Sequence, residues 1–226
     1  MEIKMEKQFE KTTVSEKVAD FVLSARGVLL VVMIVAVVAV AAFGTVTAVS
    51  VKASEKGLAD IDSISYVMTK DSASLSDDEL KARGDSALAA LGKYTSKGGV
   101  VGVRANMLAA EIYFDQKDYD NASKAWTKAA EKGKKSYTAP LSYFNAAVAY
   151  EENGKTEEAE KAYRAVISYK DFDQIAHAKF SLARLLETKG SKDEAVAVYT
   201  ELFNSLPDDA WAKLAKSRLL VLEGNE

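Results

Sequence analysis

Cysteine is absent from this sequence, and histidine occurs once, at His177. No disulfide framework, thiolate metal site or thiol nucleophile can be built from such a chain, whatever its compartment. A single imidazole removes most histidine-based catalysis and zinc chemistry. Proline is scarce too: Pro140 and Pro207 are the only two, and so few breakers favour long helices. Neither sign of charge dominates. Thirty Lys and Arg face 33 Asp and Glu, for a net charge of −3, too balanced for a general nucleic-acid binder. The sequence has no Gly-x-Ser-x-Gly, no Gly-x-x-x-x-Gly-Lys and no Gly-x-Gly-x-x-Gly, so a nucleophile elbow, a phosphate loop and a dinucleotide fingerprint are all missing. The expectation is a non-enzymatic protein with no catalytic residues, no cofactor and no metal.

Apolar residues make up 48% of the chain, yet the mean hydropathy is only −0.10, so they are concentrated somewhere. From Gly27 to Val51 no residue is charged, and the run is bracketed by Arg26 and Lys52. At about 1.5 Å per helical residue it spans a bilayer core of roughly 30 Å. A secretory signal would be shorter and nearer the start. Val51-Lys52-Ala53 makes a poor cleavage site because its middle residue is charged. One retained transmembrane helix is therefore expected. Lys4, Lys7, Lys11, Lys17 and Arg26 precede it, against Lys52, Lys56 and Lys70 just beyond, a mild bias toward tail inside and main domain outside. Thr13 to Glu16 fits a capping pattern, with Val14, Val18, Phe21 and Val22 at helical spacing after it, so the helix begins before the membrane. Gly44 with Ala48, and Ala41 with Thr45, are small-residue pairs that would allow close helix approach, although a lipid-facing surface is the simpler reading.

The rest of the chain repeats itself. Ala178 to Gly190 and Ala212 to Gly224 share Ala, Lys, Arg, Leu, Leu and Gly at matching places 34 residues apart, the length of a two-helix repeat. Three full units follow: Asn106 to Glu131, Tyr143 to Ile167 and Lys179 to Pro207, with a solitary helix from near Asp209. Their first helices carry Ala110, Ala147 and Ala183, their second helices Ala122, Ala159 and Ala195, and a large aromatic follows at Trp126, Tyr163 and Tyr199. Small side chains let two antiparallel helices approach, and the aromatic fills the wedge beyond their crossing. Gly154 and Gly190 suit the interhelix turns. Asp118, Thr156, and Ser191 with Glu194, are read as second-helix caps, and Ser76 with Glu79 as a capping box opening an earlier helix. The second-helix alanines recur at 37 and 36 residues rather than 34.

This pattern resembles the tetratricopeptide repeat (TPR) family. The implied fold is all-α: an N-terminal transmembrane helix followed by an antiparallel helical solenoid of three to four repeats. The expected division is a cytoplasmic tail over 1–26, the span over 27–51, a helical stalk and degenerate first repeat over 52–98, and a repeat domain with a C-terminal capping helix over 99–226. Lys213, Lys216 and Glu223 would be exposed on that cap.

The resemblance also implies a ligand groove along the first helices. Its positions carry over to Met107, Phe144, Phe180 and Leu214 as an apolar stripe, surrounded by Arg104, Glu111, Val148, Glu151, His177, Arg184, Glu187, Trp211 and Arg218. Met107 and Glu111 replace the Lys and Asn used by family members that grip terminal carboxylates. An unfolded or helical apolar segment suits the stripe better, unless the stalk or last helix covers it. Asp77-Asp78-Glu79, Glu157-Glu158 and Asp208-Asp209 all fall at helix starts, where carboxylates favour the helix dipole. The run Lys132-Gly133-Lys134-Lys135 reads as a solvated loop, with an anionic lipid or partner as the alternative.

In layout the chain is similar to the periplasmic TPR proteins ancillary to the bacterial Sec translocon. That implies a bacterial inner-membrane protein with its C-terminal domain on the periplasmic side, binding a protein or peptide near the translocation site in a chaperone-like or envelope role, with no nucleic-acid partner. A homo-oligomeric envelope scaffold and a cytosol-facing receptor are the alternatives.

Overall fold

The computed structural model describes residues 14–224, and all regular structure among them is helical. The cap expected at Thr13 and the tail lysines Lys4, Lys7 and Lys11 lie outside the described residues. Helix α1 covers Val14–Thr69, and a 3₁₀ turn at Ser72–Ser74 leads to α2 (Asp77–Thr95). Three hairpins follow: α3 (Gly99–Asp115) with α4 (Tyr119–Lys132), α5 (Thr138–Glu152) with α6 (Thr156–Ile167), and α7 (Ile175–Thr188) with α8 (Lys192–Ser205). Helix α9 (Ala210–Glu223) ends the series. The chain divides into two compact units, Met1–Ala53 and Ser54–Glu226.

In the first unit, α1 is long and apolar enough to cross a membrane, and its most apolar window is wholly unburied. Two of its hydroxyls turn inward on the helix itself: Thr45 Oγ1 donates to the carbonyls of Ala41 and Ala42 (both 2.9 Å) and Thr47 Oγ1 to Phe43 (2.8 Å).

In the second unit, the segment expected as a stalk is part of the folded domain from Ser54 onward. Ile61 is fully buried, and Leu58, Ile64 and Met68 pack with Ala87, Leu91 and Tyr94 of α2 and Leu108 of α3. Tyr94 Oη donates to Asp60 at 2.5 Å. This segment and α2 thus share one apolar cluster with α3 ahead of the later hairpins. Ser76 caps α2 in a full capping box with Glu79.

The nesting alanines Ala110, Ala147, Ala183, Ala122, Ala159 and Ala195 are all fully buried, as is Tyr199, with Trp126 and Tyr163 nearly so. Gly154 (φ 68°) and Gly190 (φ 82°) take the left-handed turn conformation, and Lys117 (φ 61°) fills the same place in the first hairpin. Asp118 caps α4 through the N–H of Asn121 (3.1 Å) and Asp209 caps α9 through Trp211 (2.7 Å). Two expected caps fail. The N-cap of α6 is Lys155 rather than Thr156, and Ser191 precedes α8 without a side-chain bond. Lys213, Lys216 and Glu223 are exposed on α9, as expected of a terminal helix.

Candidate protein-binding cleft

The first helices α5, α7 and α9 bring four rings together, and Tyr163 of α6 and Tyr199 of α8 extend them into a string of six. Phe144 lies 5.8 Å from Tyr163 and 4.8 Å from His177 between ring centres. His177 stacks flat on Trp211 at 3.9 Å, and Phe180 sits 5.3 Å from Trp211 and 5.5 Å from Tyr199. Aromatic pairs at these distances favour one another beyond simple area burial. Five of these rings, all but Tyr199, line a cleft of about 770 Å³ with Val148, Glu151, Glu152 and Arg184. A second cleft of about 380 Å³ shares Phe180 and Arg184 and adds Glu187 and Arg218.

The polar wall is built twice on one plan. Tyr163 of α6 donates to Glu151 Oε2 (2.7 Å), and Arg184 of the next hairpin donates to Glu151 Oε1 (2.6 Å). In the following pair, Tyr199 donates to Glu187 (3.4 Å) and Arg218 Nε donates to it at 2.9 Å. Burial, followed by the hydrogen bond to Glu151, raises the Tyr163 hydroxyl, and burial pushes Tyr199 up to about 12. Arg218 holds Glu187 below the ordinary carboxylate range. Both arginines are therefore engaged by glutamates, and the cleft offers ring faces beside these pairs and the carboxylate of Glu152. At the corresponding places of the first hairpin stand Phe114 and Trp126, 5.4 Å apart, followed by Val148: the same positions filled with apolar groups.

The four expected stripe residues do not form one continuous surface. Phe144 and Phe180 meet in the cleft with Val148 and Arg184, but Phe144 is buried at 7% exposure because His177 lies over it. Met107 is buried at 8% among Val103, Ala129 and Leu141. It lines a different pocket, together with Arg104, at the opening end of the repeats. Leu214 is half exposed and lines neither cleft. Glu111 is on the surface outside both, raised by desolvation despite the nearby Arg104. Arg218 belongs to the smaller cleft. Cover by the last helix is partly realised, since Trp211 of α9 lies against both His177 and Phe180. The Tyr–Glu–Arg sets were readable from the recurrence of Glu151 at Glu187 and of Arg184 at Arg218. Among the described residues no group of His, Asp and Glu is placed to hold a metal ion.

Stacked helical hairpins with nested alanines and an aromatic cleft along their first helices define a repeat solenoid of the protein-interaction class. The chain belongs to the tetratricopeptide repeat family, whose pattern matches residues 81–138 and 144–210. A TPR repeat-containing protein of Treponema pallidum (strain Nichols) is 33% identical over 146 residues, covering 63% of this chain and 61% of that protein; the match thus spans less than two thirds of the relative's length. The nearly identical TPR-like repeats of a putative kinesin light chain from Podosopora anserina, and a single-substitution variant of them, superpose with a TM-score of 0.56 over 76% of this chain and 89% of theirs, at 12% identity. Those two structures share the fold.

Proposed function

We propose that the protein is a single-pass membrane protein whose repeat domain captures an apolar segment of a partner protein in the cleft between α5, α7 and α9. The observation that carries this reading is the ring string Phe144–His177–Trp211–Phe180, which lines an open cleft of about 770 Å³. Concave sites that join ring faces to a few convergent polar groups are the usual ligand sites, and aromatic anchors carry most of the energy of such contacts. Membrane anchoring is supported by the unburied apolar length of α1. The excess of basic residues before the span supports an exported repeat domain, and the similar layout of translocon-associated TPR proteins supports a client-holding role at a bacterial inner membrane.

Photocrosslinking in intact cells tests the cleft. A photoreactive residue at Val148 is expected to trap a protein partner, and Phe180→Ser with Trp211→Ser is expected to abolish trapping while the circular dichroism stays helical. Undiminished trapping in that variant rejects the cleft. Phe144→Asp is unsuited to the purpose, because it would bury a charge. Protease protection in spheroplasts tests the topology: digestion of the repeat domain there, but not in sealed inverted vesicles, is expected for an exported domain, and the reverse pattern indicates a cytosol-facing receptor.

A further inference from the structure

A second pocket, distinct from the aromatic cleft, opens at the start of the repeats and has a volume of about 900 Å³. Leu58, Val103, Met107 and Leu141 give it an apolar floor, and Arg104, Lys132, Lys134 and Lys135 stand around it. No acidic residue lines it among the described residues, although the chain as a whole is net negative. The loop carrying the lysines is held in shape. Ser136 N–H donates to Gly133 O (2.7 Å), Tyr169 Oη donates to Lys134 O (3.2 Å), and Gly133 lies so close to Val103 that an added Cβ would come within 3.2 Å of it.

The cations differ in their commitments. Lys132 donates to the carbonyl of Lys97 at 2.9 Å, and Arg104 reaches Asp62 at 3.7 Å. Lys134 and Lys135 form no ion pair among the described residues, in contrast to the glutamate-bound arginines of the aromatic cleft. Tyr137, also lining the pocket, is 88% exposed, leaving an amphipathic ring at its mouth. A basic rim over an apolar floor matches a molecule with an anionic head and an apolar body.

We infer that this pocket takes an anionic membrane lipid, its phosphate at Lys134 and Lys135 and its glyceride end against Leu58 and Met107. The inference rests on the reading of α1 as a membrane span. The link is covalent: Leu58, which lines the pocket, follows Val51, the last residue of the uncharged run, by seven positions in the sequence. A basic residue in contact with an anionic lipid surface contributes about 1 kcal/mol of attraction, and exposed tyrosines favour the interfacial layer.

The full chain in detergent, titrated with phosphatidylglycerol and with phosphatidylcholine and read by native mass spectrometry, tests the assignment. Selective retention of phosphatidylglycerol is expected. Lys134→Gln with Lys135→Gln is expected to weaken it roughly 30-fold, and Tyr137→Ser is expected to weaken it without removing charge, each with the helical spectrum unchanged. Equal retention of both lipids, or phosphatidylglycerol retention indifferent to the lysines, overturns the assignment. So does lysine-dependent binding of a polyglutamate peptide in place of lipid, which would mark an acidic protein segment as the occupant. Alkaline carbonate extraction of cell membranes separates the two readings: release of the chain defeats the span itself, whereas retention with lysine-indifferent lipid binding defeats only the pocket.

Discussion

Arg184 of α7 reaches back across the hairpin boundary to Glu151 of α5 at 2.6 Å, and the same contact recurs one hairpin later between Arg218 and Glu187. Each glutamate also accepts from the buried tyrosine of its own hairpin. The carboxylate therefore ties the packing within one repeat to the packing between two, which is where a stack that is stable only through its neighbours needs reinforcement.

Removing Glu151 is expected to cost more than removing Arg184. Glu151→Ala leaves the Tyr163 hydroxyl without its acceptor, a loss of about 2 kcal/mol for a hydrogen bond to a charged group. Arg184 is half exposed, so Arg184→Ala is expected to cost about 1 kcal/mol. Glu151→Gln, which keeps an acceptor for the tyrosine, is expected to fall between them. Urea unfolding followed by circular dichroism measures all three; equal losses for Glu151→Ala and Glu151→Gln would mean that the tyrosine contact contributes nothing.

Acidification is expected to weaken the fold in two stages. Desolvation, and secondarily Arg184, hold His177 below its ordinary value. The folded state then binds fewer protons than the unfolded chain, whose histidine titrates near 6.5, so its contribution is complete above about that pH and lost as pH falls through the folded value. Glu187, lowered by Arg218, and Glu160, lowered by Lys189 and then Arg164, act in the same direction at lower pH. Their contribution is complete above the unfolded value of about 4.3 and lost as pH falls through their depressed folded values. Melting temperatures across this range are expected to show both declines in the native chain. His177→Phe, which keeps a ring against Trp211, is expected to remove the upper one alone.

The alanine-nested hairpins were legible in the sequence because helix crossings set side-chain size locally: Ala147 must be small wherever α6 passes, and Tyr163 must be large one turn beyond Ala159. Caps were legible only where geometry favoured the residue. Asp118 and Ser191 precede their helices with nearly the same backbone angles. The longer aspartate reaches the amide of Asn121, and the serine hydroxyl, one atom shorter, makes no such bond. The binding surface was less legible. Whether Met107 and Phe144 face solvent depends on how far each hairpin turns against the next, and on what α7 lays over Phe144 and α4 and α5 over Met107. A position-by-position transfer carries neither quantity. Ile61 is a core residue that the repeat pattern does not mark, because nothing at the regular repeat spacing pairs the residues from Lys52 to Thr69 with a hairpin partner.

Lys117 gives a stabilising substitution. It holds φ at 61° where the other two hairpins have glycine, and its N–H donates to Phe114 as Gly154 and Gly190 donate to Glu151 and Glu187. A side chain in this conformation costs about 1–2 kcal/mol, partly offset in a glycine variant by the larger entropy of the unfolded chain. Lys117→Gly is therefore expected to raise the stability by about 0.5–1 kcal/mol, and Lys117→Val, with its branched β-carbon, to lower it. Thermal melts of the two variants check the sign; stabilisation by valine would rule out the conformational argument.

Ser142 supplies the converse case, a polar group that the fold buries without use. It lies on α5 with no exposed surface, and its Oγ has no hydrogen-bond partner among the described residues. An unsatisfied buried hydroxyl costs about 1–3 kcal/mol, and alanine is also the better helix former, by up to about 0.7 kcal/mol. Both effects act in one direction, whereas the lost hydroxyl volume is too small to open a cavity of consequence. Ser142→Ala is thus expected to stabilise the repeat domain by about 1 kcal/mol in urea unfolding, and Ser142→Val to lose that gain through overpacking against the neighbouring helix. Destabilisation by alanine of similar size would show that the hydroxyl is hydrogen-bonded in solution, so that the serine helps to hold α5 in place.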